Sequence, residues 1–192
     1  MGLNIITTGE RGYLLKQLLP EMNIINSRRY HKNYTFSNTD IILHFASPSD
    51  SEGFKDEQRL YDANITLTSE LIELSKKLKC KLVFASSMGV HNPNNLYCNL
   101  KLKAEQLIKD NLKDYLIIRI PRVYSKDRDK GLIRDIKNNA IPKEDYSKIV
   151  QFADINDFKF FFDKIINYRG TIDYSGVLQE LSIQQIKEKY EL

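Results

Sequence analysis

The segment KLVFASSMGVHNPNNLYCNLK, residues 81–101, decides how this chain is read. A β-branched and aromatic run (Leu82, Val83, Phe84) ends at Ser86-Ser87. A polar loop containing Pro93 follows, and Tyr97-Cys98-Asn99-Leu100-Lys101 then opens a helical pattern. A strand would deliver a serine hydroxyl, and the helix that returns from it would carry Tyr97 and Lys101 at i and i+4, on one face. That spacing suits acid/base work on an alcohol or ketone. A free phenol titrates near ~10 and exchanges protons poorly at neutral pH unless a nearby cation favours its anion, so Lys101 is expected to lower the Tyr97 pKa. Alone the pair is weak, because one Tyr-x-x-x-Lys is about what chance supplies in a chain with 11 Tyr. The flanking sequence carries the weight.

Upstream, the apolar run Leu3 to Thr7 stops at Thr8-Gly9-Glu10-Arg11-Gly12, and helical periodicity (Tyr13, Leu14, Leu15, Leu18, Leu19) resumes until Pro20. Strand, Gly-x-x-Gly, helix is the pattern of a nucleotide site, in which glycines let the backbone turn tightly and approach a pyrophosphate. Against the full G-x-G-x-x-G fingerprint it is partial. Leu15 stands where a third glycine would bring helix and strand close, so the helix is expected to stand off or tilt. A second strand at Met22 to Asn26 runs into Ser27-Arg28-Arg29. The acid that usually binds a ribose 2′-hydroxyl at this point is absent, and arginine there suits a 2′-phosphate. Asp40 to Ala46 reads as a buried strand that ends at Ser47-Pro48. Within it, His44 is expected to be a satisfied core histidine.

The rest of the chain keeps alternating. Leu60 to Leu78 is helical, with Leu67, Leu71, Leu74 and Leu78 on one face and Ile65 and Ile72 on a second. A helix apolar on two sides either lies deep in the fold or meets a partner. The Tyr97 helix runs to about Leu112 on a stripe of Leu100, Ala104, Leu107 and Ile108, and Tyr115 to Ile120 is a strand closed by Pro121. Further on, Leu132 to Asn139 suggests a helix and Tyr146 to Phe152 a strand. Asp154 to Ile166 is an apolar helix, Thr171 to Tyr174 a strand, and Ser182 caps a last helix to Tyr190. Near-continuous apolar strands alternating with helices predict an α/β fold with a parallel sheet covered on both faces.

Composition bounds the possibilities. The 192 residues, 42% hydrophobic and 28% charged, fit one soluble globular domain. The net charge of +4 is mild and the lysines are dispersed, which does not call for a nucleic-acid surface. No apolar run is long enough to span a membrane and no leader pattern opens the chain. Cys80 and Cys98 form no metal spacing with the three histidines, and two cysteines suit a reducing compartment. A cytoplasmic protein is expected.

The motifs TTGERGYLL, ILHFAS, LVFASSMGV, YCNLK and LIIRIPRVY, in this order, together with FADINDF, GTIDYSG and SIQQIKE, resemble the extended short-chain dehydrogenase/reductase family of nucleotide-sugar enzymes. The resemblance implies one Rossmann-type, doubly wound domain over residues 1–192, with residues 124–192 contributing a reduced substrate-binding part. It implies Ser87 as the substrate-orienting hydroxyl, Tyr97 as general acid/base, and Lys101 as the group that binds the nicotinamide ribose and tunes the phenol. Gly9, Arg11 and Gly12 fall on the pyrophosphate turn, Ala46 and Ser47 on the segment beside the cofactor, Pro121 beside the nicotinamide, and Arg28 and Arg29 at the 2′-phosphate. NADP(H) is therefore expected over NAD(H). Family members that dehydrate the sugar have an Asp-Glu pair after the serine, and those that also epimerise next to the ketone have a cysteine there. Met88-Gly89 offers neither. Reduction of a 4-keto nucleotide sugar and 4-epimerisation remain, with reduction preferred because a minimal lid between Tyr124 and Tyr146 gives an intermediate little room to rotate. A non-catalytic, cofactor-binding relative is the rival class. Family members commonly pair through the two helices named above, so a homodimer is expected.

Overall fold

The computed structural model describes residues 2–48 and 56–192. Strand β1 (Leu3–Thr8) leads through the glycine turn into α1 (Tyr13–Leu18), which a 3-10 turn at Leu19–Glu21 ends at Pro20, where no backbone N–H is left to continue the helix. Strand β2 (Ile24–Arg29) lies parallel to β1, and β3 (Ile41–His44) lies on the other side of β1. Helix α2 (Glu57–Tyr61) passes through one π turn (Asp62–Thr66) into α3 (Leu67–Leu78). Strand β4 (Lys81–Ser87), α4 (Leu96–Asn111) and β5 (Tyr115–Ile120) follow. The remaining elements are β6 (Val123–Tyr124), α5 (Gly131–Lys137), β7 (Ile149–Asp154), α6 (Ile155–Ile165), β8 (Gly170–Asp173), β9 (Gln179–Ser182) and α7 (Ile183–Tyr190).

The main sheet is six-stranded and all parallel, in the order β2-β1-β3-β4-β5-β8, as the apolar strands predict. The order reverses between β1 and β3, and the crevice at their carboxyl ends is where ligands bind in open α/β sheets. Residues 30–40 form no strand, so β2 is the sheet edge. This segment instead folds back, Tyr30 stacks on Phe36 with ring centroids 6.0 Å apart, and both join the core over Leu71 and Ile72. Alternating side chains divide the interior. One face of the sheet, with Ile5, Leu43, Val83 and Ile118, packs on α1 and α6, and the other, with Ile6, Ile42, Phe84 and Ile117, packs on α3 and α4.

This second core changes the reading of the helix from Leu60 to Leu78. Ile72 is buried, and Ile65, Leu74 and Leu107 are packed against it within the chain. The outward positions of α3 are Ser69, Glu70, Glu73, Lys76 and Lys77, all exposed. The apolar basis for a homodimer is thus narrower than the two-sided pattern suggested and rests on exposed Tyr61 and Leu102.

Residues 124–192 divide between two cores. Helix α6 and β8 close the main body, with Phe158, Phe162 and Tyr174 in the first core. The second sheet, β6-β7-β9, has a core of its own under α5 and α7, formed by Tyr124, Ile133, Ile136, Phe152, Ile183 and Ile186. Alternation along β6 and β7 joins the two bodies, since Val123 and Ala153 face the main core while Tyr124 and Phe152 face the small one. The expected lid between Tyr124 and Tyr146 is in fact α5 and a 3-10 turn (Lys143–Asp145) packed on that small core. The Ser182 capping box is present, with the Gln185 amide donating to Ser182 Oγ at 3.1 Å and the Ser182 amide to Gln185 Oε1 at 2.8 Å.

Candidate active site

Because all six strands run parallel, Gly9 after β1, Ala46 after β3, Ser87 ending β4 and Pro121 after β5 lie along one carboxyl edge. Gly9 is required twice over. Its φ of +82° is strained for a side chain, and a Cβ would stand 2.7 Å from the Ala46 amide nitrogen across the β1/β3 crevice. The Gly12 amide donates to the Gly9 carbonyl at 2.8 Å, and a Cβ on Gly12 would meet that oxygen at 2.9 Å. The turn therefore presents bare backbone at the switch point, which fits the pyrophosphate of a dinucleotide. Helix α1 is only six residues long, so the turn rather than a long helix dipole supplies this cradle. Leu15 is completely buried in the core shared with Ile5 and Leu43. Arg11 is exposed on the turn.

Ser87 ends β4 and begins a 3-10 turn, its Oγ accepting from the Gly89 amide at 3.1 Å. Asn95 caps α4 by accepting from the Cys98 amide at 2.9 Å, and this fixes where Tyr97 emerges. The Ser87 side chain acts on the Tyr97 phenol, favouring its anion. Lys101, one turn on, is buried beneath it. Its Nζ donates to the Ala85 carbonyl at 2.7 Å and lies 4.5 Å from the Phe84 ring centroid and 5.8 Å from that of Tyr97. Tyr97 and Lys101 thus share one face of α4, and Ser87 ends the strand that precedes it.

The electrostatics of this trio differ from expectation. Burial pushes the Tyr97 phenol up to about 12, Cys98 adds to the rise, and the Ser87 side chain only partly offsets it. Burial also draws Lys101 down to about 7, against the pull of Glu105. The phenol is set first by burial, with Lys101 not among the groups that shift it, and burial weakens the Lys101 charge as well. A stability consequence follows. Between pH 7 and 10.5 the unfolded state binds the Lys101 proton and the folded state releases it, so stability rises with pH across that window. Lys101→Met is therefore expected to raise Tm at pH 7, and the difference from wild type should shrink toward pH 10. A calorimetric pH series checks this; a lower Tm for the Met variant at every pH would contradict it.

Glu105 and Asn64, which the motifs did not single out, and His44 hold the segments around the trio. Glu105, one turn beyond Lys101 and completely buried, accepts from Ser86 Oγ at 2.6 Å and from Arg119 Nε and Nη2 at 3.0 and 2.8 Å, and pairs with Lys109 at 3.3 Å. It ties α4 to the ends of β4 and β5. Asn64, buried in the π turn, holds the segment after β3: its Nδ2 donates to the Leu60 carbonyl at 2.8 Å and its Oδ1 accepts from Ser47 Oγ at 3.2 Å. His44 is the satisfied core histidine expected, with Nδ1 2.7 Å from Thr8 Oγ1 and Nε2 3.0 Å from Thr68 Oγ1. Burial and the Lys101 charge lower its pKa to about 3. The i, i+4 continuation from Lys101 to Glu105 was visible in the sequence, but its meaning depended on Arg119, a residue from another strand.

The two arginines are not brought together. Both lie inside β2, whose end is later than the sequence suggested, so they point to opposite faces. Arg29 reaches the glycine turn and pairs with Glu10 at 3.1 Å. Arg28 lines a polar cavity of about 120 Å³ with Asn4, Asn26, Ser37 and Thr39 on the other side.

Residues 7–157 match the NAD dependent epimerase/dehydratase family, and the chain belongs to it. Solved structures share the fold. A dTDP-4-dehydrorhamnose reductase from Bacillus anthracis, in complex with NADP, aligns with a TM-score of 0.76 at 21% identity, covering 99% of this chain and 80% of that one. A UDP-glucuronic acid 4-epimerase from Bacillus cereus, in complex with NAD, gives 0.75 at 21% identity, covering 98% and 83%. A dTDP-4-dehydrorhamnose reductase from Clostridium acetobutylicum gives 0.77 at 15% identity, covering 98% and 79%. No protein of curated function matches the chain in sequence. Among the described residues, no helix is long and apolar enough to cross a membrane and no group of His, Cys, Asp and Glu could hold a metal ion.

Proposed function

We propose that this chain is an NAD(P)-dependent oxidoreductase that reduces the ketone of a 4-keto nucleotide sugar. The observation that carries this reading is buried Lys101 beneath the Tyr97 ring, with Ser87 at the end of β4, on the same sheet edge as the bare-backbone turn at Gly9. Bound at that turn, the nicotinamide cofactor supplies the hydride. Ser87 orients the ketone oxygen and Tyr97 donates a proton to it. Lys101 holds the nicotinamide ribose and carries a proton toward the spent phenol. A phenol held near 12 keeps its proton at neutral pH, which suits an acid in reduction better than the base that the oxidising first half of a 4-epimerisation needs. The solved reductases and epimerases of this fold support both reactions, and the protonated phenol favours the first. NADPH consumption with a panel of 4-keto nucleotide sugars tests the reading; a panel left untouched favours the non-catalytic relative.

For the cofactor, we assign a 2′-phosphate to Arg29, a reading supported by its position at the end of β2 beside the turn. Arg29→Ala is expected to weaken NADPH by about ten- to hundredfold relative to NADH, the worth of one charge-assisted contact. Arg28→Ala should leave both unchanged. Fluorescence titration of the two cofactors measures this, and equal losses for both in the Arg29 variant would make the Glu10 pair purely structural.

A further inference from the structure

One cluster at the seam between the glycine turn and the second sheet has no part in the chemistry above. Tyr13, which directly follows Gly12, donates its hydroxyl to Ser125 Oγ at 2.5 Å. The Arg128 guanidinium lies over two rings, 5.0 Å from the Tyr13 centroid and 5.9 Å from that of Tyr124. Its Nη1 donates to the Val123 carbonyl at 2.6 Å, and its amide closes a turn on the Ser125 carbonyl at 3.2 Å. Among the described residues, Arg128 makes no ion pair with any carboxylate, and Asp129, next in the chain, is the one acid that acts on its charge. Its Nε is buried with no acceptor. Asp154 lies close enough to act on Tyr13, but its two oxygens are engaged by the Asn156 amide at 3.0 Å and the Tyr190 hydroxyl at 3.0 Å. Ser125 is buried and accepts from Tyr13, and its own hydroxyl proton has no acceptor among the described residues.

A half-buried guanidinium without a carboxylate, its Nε buried and unpartnered among the described residues, is costly, and two aromatic faces compensate it only in part. Two unspent donors, Arg128 Nε and the Ser125 hydroxyl, therefore sit together where the loop after β6 meets the dinucleotide turn. Arginine presents a planar fork that matches phosphate oxygens. We infer that Arg128, with Ser125, is a diphosphate-binding site whose anion supplies the counter-charge that the described residues do not. This rests on the nucleotide-sugar reading, in which two diphosphates occur: that of the cofactor and that of the substrate.

Full-length wild type, Arg128→Met and Arg128→Lys are titrated with NADPH, UDP and dTDP, and their melting temperatures are compared. Arg128→Met should weaken at least one probe by tenfold or more while its Tm holds or rises, because an uncompensated charge has been removed; Arg128→Lys should fall between. Loss confined to NADPH assigns the cofactor diphosphate, and loss confined to UDP and dTDP the substrate diphosphate. Affinities within twofold of wild type for every probe overturn the site, and a fall in Tm alongside them makes Arg128 a strut for its loop. If the Met variant does not fold, Arg128→Lys is read alone, and a loss under threefold for all probes overturns the site. If wild type binds none of the three, the functional reading fails separately, and inorganic pyrophosphate becomes the probe. Thermal protection of wild type but not of the variant keeps the site, and equal or no protection removes it.

Discussion

Tyr97→Phe is expected to bind cofactor as tightly as wild type and to lose turnover by about 10²- to 10⁴-fold, the usual worth of a positioned proton donor. The substitution keeps the ring above Lys101 and removes only the hydroxyl. Nothing at Gly9, Ala46 or Arg29 touches that hydroxyl, so the cofactor crevice should be undisturbed. Because the phenol starts near 12, wild-type reduction should not lose its proton donor anywhere between pH 6 and 9. Stopped-flow NADPH oxidation on a confirmed substrate reads both quantities. Wild-type turnover by the Phe variant would remove Tyr97 from the chemistry, however well the motifs align.

Glu105→Ala is expected to be the most damaging single change to stability. It leaves the Arg119 guanidinium, mostly enclosed between α4 and β8, with only a 3.3 Å contact to half-exposed Asp173, and it frees the Ser86 hydroxyl. Removing one partner of a buried ion pair costs about 3 to 5 kcal/mol, which for a chain of this size lowers Tm by roughly 6 to 20 °C. The pH dependence has a definite sign. Burial pushes the Glu105 carboxyl up, but hydrogen bonds from Arg119 and Ser86 and the Arg119 charge outweigh it and hold it below its usual 4.5. Its contribution is therefore complete above pH 4.5 and is lost as pH falls through the lower folded value. The gap between wild type and variant should be widest at neutral pH and narrow in acid. A loss below about 1 kcal/mol at pH 7 would mean that water or Asp173 satisfies Arg119 without help.

Much of this was legible in residues whose chemistry is local. Continuous apolar runs gave the parallel strands, Gly9 and Gly12 marked the turn, and the step from Tyr97 to Lys101 needed only the helical period. Ser182 and Gln185 announced their capping box in the same way. What depended on other segments was not legible. The two-sided apolar pattern of α3 looked like an interface, yet Tyr30 and Phe36, from a stretch with no strand pattern, cover that side. Arg28 and Arg29 looked like a pair because the strand was ended three residues early, and extending β2 sends them to opposite faces. The tail looked irregular because β6 is two residues long and gains its meaning only beside β7. Lys101 was expected to carry charge to Tyr97, but the sequence does not state its depth, and depth is what draws both pKa values away from that expectation.

The central claim is that the Ser87, Tyr97 and Lys101 site performs a net hydride transfer to a sugar ketone. Incubation with NADPH deuterated at the transferable nicotinamide position and a 4-keto nucleotide sugar, followed by mass and NMR analysis of the sugar, tests it most directly. The account predicts one deuterium at sugar C4 for each NADPH consumed, abolished in Tyr97→Phe. Sugar interconverted at C4 without net NADPH consumption, or no label in the sugar at any enzyme concentration, would contradict it.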